Sequence, residues 1–264
     1  MVYSTMQTKQ EEKILYFDTE TTDLQSKDIV QLALIKEDGI TLNMFFNPQQ
    51  EVSYSAMAVH HLTPEFLEKF PPFQDAKLSD DFKDPEFKGR ELKKYLEHLA
   101  KEYIWVAHNV EFDKEVLEKK DVELPRTICT FKLARNMFTL GGRDIDLESY
   151  SLQYLRYYLG LYKKEDTSHN VAHDALSDVY FARDLFKYIK ENSKLSIENM
   201  IQISKEPAYI RNITFGKYAG EALSDIANED REYLEWMLNN LTEKEDLKWN
   251  IERVLGRGNG TLFG

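Results

Sequence analysis

Residues 14–24 read Ile-Leu-Tyr-Phe-Asp-Thr-Glu-Thr-Thr-Asp-Leu, an apolar run that leads directly into two carboxylates spaced by one residue. A short apolar run is typical of a strand covered on both faces, so the carboxylates follow at its carboxyl end. Because side chains alternate along a strand, Asp18 and Glu20 point to the same side. Two like charges beside a core repel each other and lose hydration, which indicates a hard cation, Mg²⁺ or Mn²⁺, between them. The alternative is that Asp18 caps a turn and Glu20 is solvated.

The composition is that of a globular protein, with 42% hydrophobic and 30% charged residues in a chain of 264. No apolar stretch is as long as a membrane span, and residues 1–13 lack the apolar core of a signal peptide, so we expect a cytoplasmic protein without a membrane partner. The single cysteine, Cys129, excludes an internal disulfide. The net charge of -12 argues against coating of nucleic acid by charge alone. It does not exclude an enzyme that grips nucleotides through bound metals, because such metals neutralise their acidic ligands.

Four further segments have strand character, namely residues 28–35, 40–46, 104–107 and 127–130. The Asp38-Gly39 pair is a strong hairpin signal, so the first three strands are expected to pair antiparallel. Helical patterns separate the later strands, which then join through crossovers. The predicted fold is α/β, a mixed sheet with antiparallel first strands and parallel later strands, flanked by helices. A loop is expected to carry Met57 and His60.

Two predicted helices place a carboxylate on their packed side. Asn109 can cap the first, in which Asp113 precedes two apolar residues by three and four positions. The second, residues 171–189, has the strongest helical pattern, and Asp178 lies within its apolar stripe. With Asp18 and the rest of the first strand, these carboxylates can converge at one edge of the sheet.

Two pairs at the start of the second helix and just before it share one spacing, His169 with Asp174 and His173 with Asp178. Asp178 lies within the apolar stripe, whereas Asp174 lies nearer its edge. We therefore favour His173 with Asp178, and His169 with Asp174 stays open as the alternative.

Three motifs, in this order and spacing, resemble the exonuclease motifs of the DEDDh (DnaQ-like) family, most closely its exonuclease X branch. They are Phe-Asp-Thr-Glu-Thr-Thr at residues 17–22, Ala-His-Asn-Val-Glu-Phe-Asp at 107–113 and Ala-His-Asp-Ala-Leu-Ser-Asp-Val at 172–179. Residues 59–63 resemble the family's His-Gly-Ile-Thr loop, with His61 where glycine is usual. The resemblance implies an RNase H-like fold and a metal-dependent 3′→5′ exonuclease that releases nucleoside 5′-monophosphates.

The resemblance also implies roles for individual residues. Asp18 would bridge two divalent cations, Mg²⁺ or Mn²⁺, that lie about 4 Å apart. Glu20 and Asp178 would hold the first ion, and Asp113 would support the second. His173 would take the proton of the attacking water, because an imidazole titrates near neutral pH.

The expected substrate is the 3′ end of single-stranded or frayed DNA. An exoribonuclease and a catalytically inactive binding module are the alternatives. A second copy of the chain or a replication or repair protein is considered as partner. Candidates for holding the terminal nucleotide, by analogy with the family, are Thr21, Thr22, Leu24, Met57, His60 and Asn109. Ordinary turn and core packing is the alternative role of these residues.

Residues 213–220, Ile-Thr-Phe-Gly-Lys-Tyr-Ala-Gly, resemble a small module found behind some of these exonucleases, here followed by two helical patterns. Arg211 and Lys217 are candidates for meeting phosphates in nucleic-acid or partner binding. Phe215 is expected in the core of a small helical domain, and Tyr218 is open between core packing and base stacking. The predicted boundaries are 1–192 for the exonuclease domain, 193–208 for a linker and 209–264 for the C-terminal module.

Overall fold

The computed structural model describes residues 12–140, 145, 147–164, 174–241 and 245–257. The chain divides into two compact units, residues 1–128 with 164–183 and residues 129–163 with 184–264. The predicted domain boundaries near residues 192 and 208 stay a prediction, because this division does not test which segments fold by themselves. Within the described residues, every helix is too short or too polar to span a lipid bilayer.

A five-stranded mixed sheet, in the order β3-β2-β1-β4-β5, forms the centre of the first unit. Its strands are β1 (Ile14–Thr21), β2 (Ile29–Lys36), β3 (Thr41–Phe45), β4 (Ile104–Ala107) and β5 (Thr127–Cys129). Strand β2 pairs antiparallel with both β1 and β3, whereas β1 pairs parallel with β4. The predicted mixed α/β sheet is therefore confirmed.

The hairpin between β2 and β3 turns at Gly39, as the Asp38-Gly39 signal predicts. Gly39 has a φ of 87°, and its N–H donates to the Lys36 carbonyl, while the Lys36 N–H donates to the Ile40 carbonyl. A left-handed φ is readily adopted by glycine, which has no Cβ. This turn sets the register in which β3 pairs with β2.

The helices of the two units follow the apolar patterns of the sequence. They are α1 (Tyr54–His60), α2 (Pro64–Leu67), α3 (Leu92–Glu102), α4 (Val110–Glu118), α5 (Thr130–Arg135), α6 (Leu152–Tyr158), α7 (Ala175–Asn192), α8 (Ile197–Lys205), α9 (Leu223–Glu229), α10 (Arg231–Asn240) and α11 (Glu245–Val254). A π-helical turn, Asn136–Leu140, follows α5. Helix α7 belongs to both units, because the division of the chain falls between residues 183 and 184.

The loop expected around Met57 and His60 is wrong, because this segment forms helix α1. The Ser53 side chain accepts a hydrogen bond from the Ala56 N–H and so caps the helix, a start signal that the sequence reading passed over. The helix ends at His61, which has a φ of 61°. His61 thus adopts the left-handed conformation that glycine takes readily, and it keeps the helix end that the family's glycine would form.

The expected capping role of Asn109 is also wrong. Asn109 precedes α4, but its φ is 65° and its side chain makes no capping hydrogen bond. A capping side chain needs an extended backbone at this position, whereas asparagine tolerates the left-handed region better than most residues. Its side chain is therefore available to the surface beside β1.

The second unit is mainly helical and has a core of its own in its C-terminal part. Helix α8, within the predicted linker, is capped by Ser196, whose hydroxyl accepts from the Asn199 N–H. The expected burial of Phe215 is wrong, since this side chain is 36% exposed, whereas Tyr218 packs partly buried against the core. The buried core residues are Ile213, Leu223, Ile226, Leu234, Met237, Leu247, Ile251 and Leu255.

The Phe-Gly-Lys-Tyr segment is built around Asp230. One Asp230 oxygen accepts from the Tyr218 hydroxyl (2.7 Å) and from the Lys217 ammonium (2.9 Å), and the other accepts from the Tyr233 N–H (3.2 Å) at the start of α10. Gly216 has a φ of 78°, and a Cβ there would lie 2.5 Å from the Tyr233 hydroxyl. The glycine, the lysine and the tyrosine of this motif therefore have structural roles.

Candidate active site

Strand β1 and helix α7 bring three carboxylates together. One oxygen each of Asp18, Glu20 and Asp178 lies within 4.8 Å of the other two. Asp18 and Glu20 share a side of β1, as strand alternation predicts, and all three keep part of their surface accessible. Among the described residues, no other set of three Asp, Glu, His or Cys side chains is spaced in this way.

Asp113 joins this cluster from helix α4. Its side chain is buried, and its Oδ1 accepts from both the N–H (2.9 Å) and the hydroxyl (2.7 Å) of Thr19. These two hydrogen bonds tie α4 to the end of β1, and Asp113 lies close enough to Asp18 to raise its pKa. The structure thus places Asp113 on the buried side of its helix, as predicted.

The charges of the cluster repel one another. Burial, and then the neighbouring carboxylates of Asp113, Glu20, Asp178 and Asp174, raise the pKa of Asp18 well above its usual value. Burial and Asp178 raise the pKa of Glu20 to about 8, and burial raises the pKa of Asp113 to about 7 against the Thr19 hydrogen bonds. Such crowded carboxylate oxygens are the donors that hard divalent cations prefer, so the residues present fit a metal centre.

Gln31 is part of this site, although the sequence reading missed it. It lies opposite Glu20 in the β1–β2 register and is almost fully buried. Its amide nitrogen donates to Asp174 Oδ1 (2.9 Å) and to Asn43 Oδ1 (2.9 Å). Gln31 could have been found from the sequence as an amide in the middle of an apolar strand, because a buried amide needs hydrogen-bond partners.

The two aspartates at the start of α7 have different surroundings. Asp178 contributes an oxygen to the carboxylate cluster, whereas Asp174 accepts from Gln31 and, through its other oxygen, from the Ser177 N–H (3.3 Å). This geometry agrees with the preference for Asp178 over Asp174 as a metal ligand. The histidines paired with them in the sequence, His173 and His169, lie outside the described residues.

A cavity of about 400 Å³ opens beside the cluster. Four predicted nucleotide contacts are among its lining residues, and the sequence reading missed Phe112 there. The lining residues are Glu20, Thr21, Asp23, Leu24, Ser55, Ala56, Val59, His60, Asn109 and Phe112. Leu24 is 79% exposed, so an apolar side chain protrudes at the edge of the cavity.

Two predicted contacts lie elsewhere. Met57 packs against the buried cluster of Val30, Val52 and Leu67. Thr22 is fully buried, and its hydroxyl lies 3.0 Å from that of Ser26. The Met57 side chain thus has a packing contact and the Thr22 hydroxyl a turn contact, while the nucleotide contacts predicted for Met57 and for the backbone at Thr22 stay predictions.

His60 connects helix α1 to the end of β1. Its Nδ1 accepts from the Leu62 N–H (3.0 Å), so Nε2 carries the proton and donates to the Thr21 carbonyl (3.2 Å). Burial lowers the pKa of His60, which keeps the ring neutral at pH 7. A neutral, doubly hydrogen-bonded ring fixes the backbone that lines the cavity.

Comparison with known proteins places the chain in a family. A family model described as Exonuclease matches residues 15–186, and one described as Exodeoxyribonuclease X-like C-terminal matches residues 213–242. Exodeoxyribonuclease 10 of Escherichia coli (strain K12) is 32% identical over 230 residues, 85% of this chain and 90% of that protein. The DNA polymerase III subunit epsilon of Rickettsia prowazekii (strain Madrid E) is 28% identical over 190 residues, 65% of this chain and 71% of that protein.

A solved structure supports the same assignment. Exonuclease X in complex with 5′ overhanging duplex DNA has a TM-score of 0.51 and 28% identity, covering 72% of this chain and 99% of that one. The predicted RNase H-like fold is confirmed by this match and by the Exonuclease model. A family model that spans more than half of the sequence, together with a relative that resembles it almost from end to end, shows that this enzyme belongs to the DnaQ-like exonuclease family.

Proposed function

We propose that this exonuclease hydrolyses the terminal phosphodiester bond at 3′ ends of DNA, single-stranded or frayed, and releases nucleoside 5′-monophosphates. The carboxylate cluster of Asp18, Glu20 and Asp178 carries this proposal, because it offers hard oxygen ligands beside an open cavity. The choice of DNA is supported by the relatives, since one is named an exodeoxyribonuclease and another is solved on duplex DNA.

The site would hold two divalent cations, Mg²⁺ or Mn²⁺. Asp18, Glu20 and Asp178 would bind one, and Asp113 would support the other together with Asp18. When bound, such a pair of cations lowers the pKa of a water and stabilises the attacking and leaving oxygens of the phosphodiester. The raised pKa values of Asp18 and Glu20 support this role, because a cation relieves the repulsion that raises them.

His173 would accept the proton of the attacking water at an imidazole nitrogen. Its neighbour in the chain, Asp174, supports the assignment, because Asp174 lies close enough to Asp18 and Glu20 to raise the pKa of both. His173 directly precedes Asp174 in the sequence, so it is the neighbour of a residue that lies near the carboxylate cluster.

The cavity beside the cluster would hold the terminal nucleotide. Leu24 and Phe112 offer apolar surface to a base, and Asn109 offers an amide. The Thr21 backbone is held by His60, so the polar wall of the cavity is fixed before substrate arrives.

The test uses DNA and RNA oligonucleotides of one sequence, labelled at either the 5′ or the 3′ end, with Mg²⁺ or Mn²⁺. We expect mononucleotide release from 3′ ends of DNA, and a loss of at least about 1000-fold in Asp18→Ala, on the scale of losing a principal catalytic group. Asp121→Asn is the control, because this aspartate is 88% exposed and paired only with a surface lysine in the described residues. Equal turnover in the wild type and Asp18→Ala, release from 5′ ends, or faster degradation of RNA would contradict the proposal.

A further inference from the structure

The tyrosines of the chain are concentrated in one short segment of the second unit. Residues 149–163 contain five of the fifteen tyrosines, two basic residues and no acidic residue, and acidic residues flank the segment at Glu148 and Glu165. Helix α6 and the 3₁₀ turn Leu161–Lys164 carry this segment. So many aromatic rings in so short a stretch require a specific explanation.

Three of these rings face outward. The exposed fractions are 58% for Tyr157, 49% for Tyr158 and 43% for Tyr162, and Lys163 beside them is exposed as well. We call this patch, Tyr157, Tyr158, Tyr162 and Lys163, the tyrosine surface. Single exposed aromatic residues are common, but three large exposed rings within six residues, of which Tyr157 and Tyr162 contact each other, are typical of a binding site.

The rings of the tyrosine surface are held in place from below. Tyr158 is stacked on Tyr154, with ring centroids 5.8 Å apart and planes 13° apart, and it meets Phe138 edge-on at 5.8 Å. Such packing fixes the Tyr158 ring while leaving half of its surface open. A ring that is already immobile loses little entropy when a base stacks on it.

The other two rings are fixed through one another and through a buried arginine. Tyr157 and Tyr162 have centroids 5.4 Å apart. The Arg156 guanidinium lies 5.0 Å from the centre of the Tyr157 ring and donates to its hydroxyl (3.3 Å). Lys163 places its ammonium 5.9 Å from the centre of the Tyr162 ring.

From this arrangement we infer that the tyrosine surface is an accessory binding site for single-stranded nucleic acid, with bases stacked on the rings and phosphate near Lys163. This inference rests on the proposed nuclease function, because the strand bound at the tyrosine surface would be the substrate of the enzyme. Stacking on aromatic rings combined with positive charge is the general mode by which single strands bind without sequence preference. The Lys163 ammonium beside the Tyr162 ring can meet a phosphate, and successive bases of a single strand each offer a flat face to a ring.

The test measures binding of a fluorescein-labelled oligodeoxythymidylate of about 20 nucleotides to the full chain, with Ca²⁺ in place of Mg²⁺ to prevent hydrolysis. We expect the double variant Tyr157→Ala/Tyr162→Ala to weaken binding about 10-fold, within the range found for lost base stacking. The variant Tyr157→Phe/Tyr162→Phe keeps the rings and should stay within about twofold of the wild type. This phenylalanine variant is the matched control, because it changes the same two positions and removes only the hydroxyl groups.

A second variant keeps the test decisive if the alanine variant fails to fold. Lys163→Glu should weaken binding and reduce the slope of log affinity against log salt by about 1, because one phosphate contact is lost. Hydrolysis of the p-nitrophenyl ester of thymidine 5′-monophosphate should stay at the wild-type rate in all variants.

Two outcomes would overturn the inference: wild-type affinity in both Tyr157→Ala/Tyr162→Ala and Lys163→Glu, or an equal loss of affinity in Tyr157→Phe/Tyr162→Phe, which keeps the rings. The first would leave the tyrosine surface to a protein partner. A wild-type enzyme that releases no mononucleotide would instead refute the proposed function, and the binding comparison would still decide the tyrosine surface.

Discussion

Asp18 and Asp230 are the same residue type in opposite electrostatic surroundings. Burial and neighbouring carboxylates raise the pKa of Asp18, whereas the Tyr218 hydroxyl and the Lys217 ammonium lower the pKa of Asp230. In the first unit, carboxylates face each other beside an open cavity. In the second unit, the Asp230 carboxylate accepts hydrogen bonds from the protein itself, and these bonds hold the Phe-Gly-Lys-Tyr segment in place. Repulsion within the protein indicates a site that a ligand completes, and internal compensation indicates a structural role.

The largest expected effect separates two aspartates within the first unit. Asp178→Asn should reduce mononucleotide release by at least about 100-fold, because it removes a charged ligand from the cluster. Asp174→Asn should change the rate by less than about fivefold, since an asparagine oxygen can still accept from Gln31 and Ser177. The measurement is the steady-state rate on a 3′-terminal DNA substrate with saturating Mg²⁺.

This pair also tests the histidine assignment. If Asp174→Asn proves the more harmful change, then Asp174 with His169 replaces Asp178 with His173, and the carboxylate cluster has been misread. Comparison of the rates of mononucleotide release by His173→Ala and His169→Ala tests the same choice between the two pairs through their histidines.

The second prediction uses the opposite pKa shifts of the two units. Because the folded-state pKa of Glu20 and Asp113 lies above the unfolded value of about 4, folded metal-free protein binds more protons than unfolded protein between pH 4 and 8. Its stability should therefore fall as pH rises through this window, by several degrees in Tm, and Mn²⁺ should restore it at pH 8. Asp18→Asn in EDTA should lose less stability than the wild type over the same window.

The contribution of Asp230 to stability has the opposite sign, since it is present above the unfolded pKa and lost as pH falls through the lowered folded pKa.

Thermal unfolding in EDTA from pH 4 to 8 measures this dependence, with Asp230→Asn as the opposing control. The deficit of Asp230→Asn relative to the wild type should stay level above about pH 5 and shrink as pH falls below about 4, because the lowered pKa of Asp230 acts only in that lower range. A metal-free Tm that stays level or rises for the wild type, with no response to Mn²⁺, would show that the cluster is not under repulsion.

The smallest expected effect concerns two glycines of the second unit. Gly216→Ala should destabilise the protein by about 1 to 3 kcal/mol more than Gly220→Ala, because only the former drives a methyl group into the Tyr233 hydroxyl. Both glycines have a positive φ, so the conformational strain is shared and the difference isolates the steric clash. Denaturant unfolding measures it, and equal losses would mean that Tyr233 moves aside freely.

Local sequence patterns were sufficient for much of the fold. The apolar run before Asp18 predicted a buried strand, Asp38-Gly39 predicted a hairpin, and helical spacing placed Asp113 on a buried face. Each of these depends on residues a few positions apart. The three carboxylates of the cluster could be grouped because Asp18 and Glu20 follow the apolar run of β1 and Asp178 lies within the apolar stripe of α7.

Other features depend on partners far away in the chain. Gln31 contacts Asp174, 143 positions later, so no local pattern reveals what the amide binds. Phe215, expected in the core, lies at the surface, whereas Tyr218, which was open between two roles, packs against the core and contacts Asp230 and Tyr233. Aromatic residues in so small a core cannot be sorted by composition alone.

Strand β1 has a further consequence for how this protein can change in evolution. Asp18 and Glu20 lie on one side of the strand, and Thr19, between them, binds Asp113. Deletion of a single residue upstream within β1 would invert the strand, turning both acids to the opposite face and leaving threonine where they now lie. Substitutions along β1 can therefore be selected one at a time, whereas single-residue insertions and deletions there would be eliminated at once.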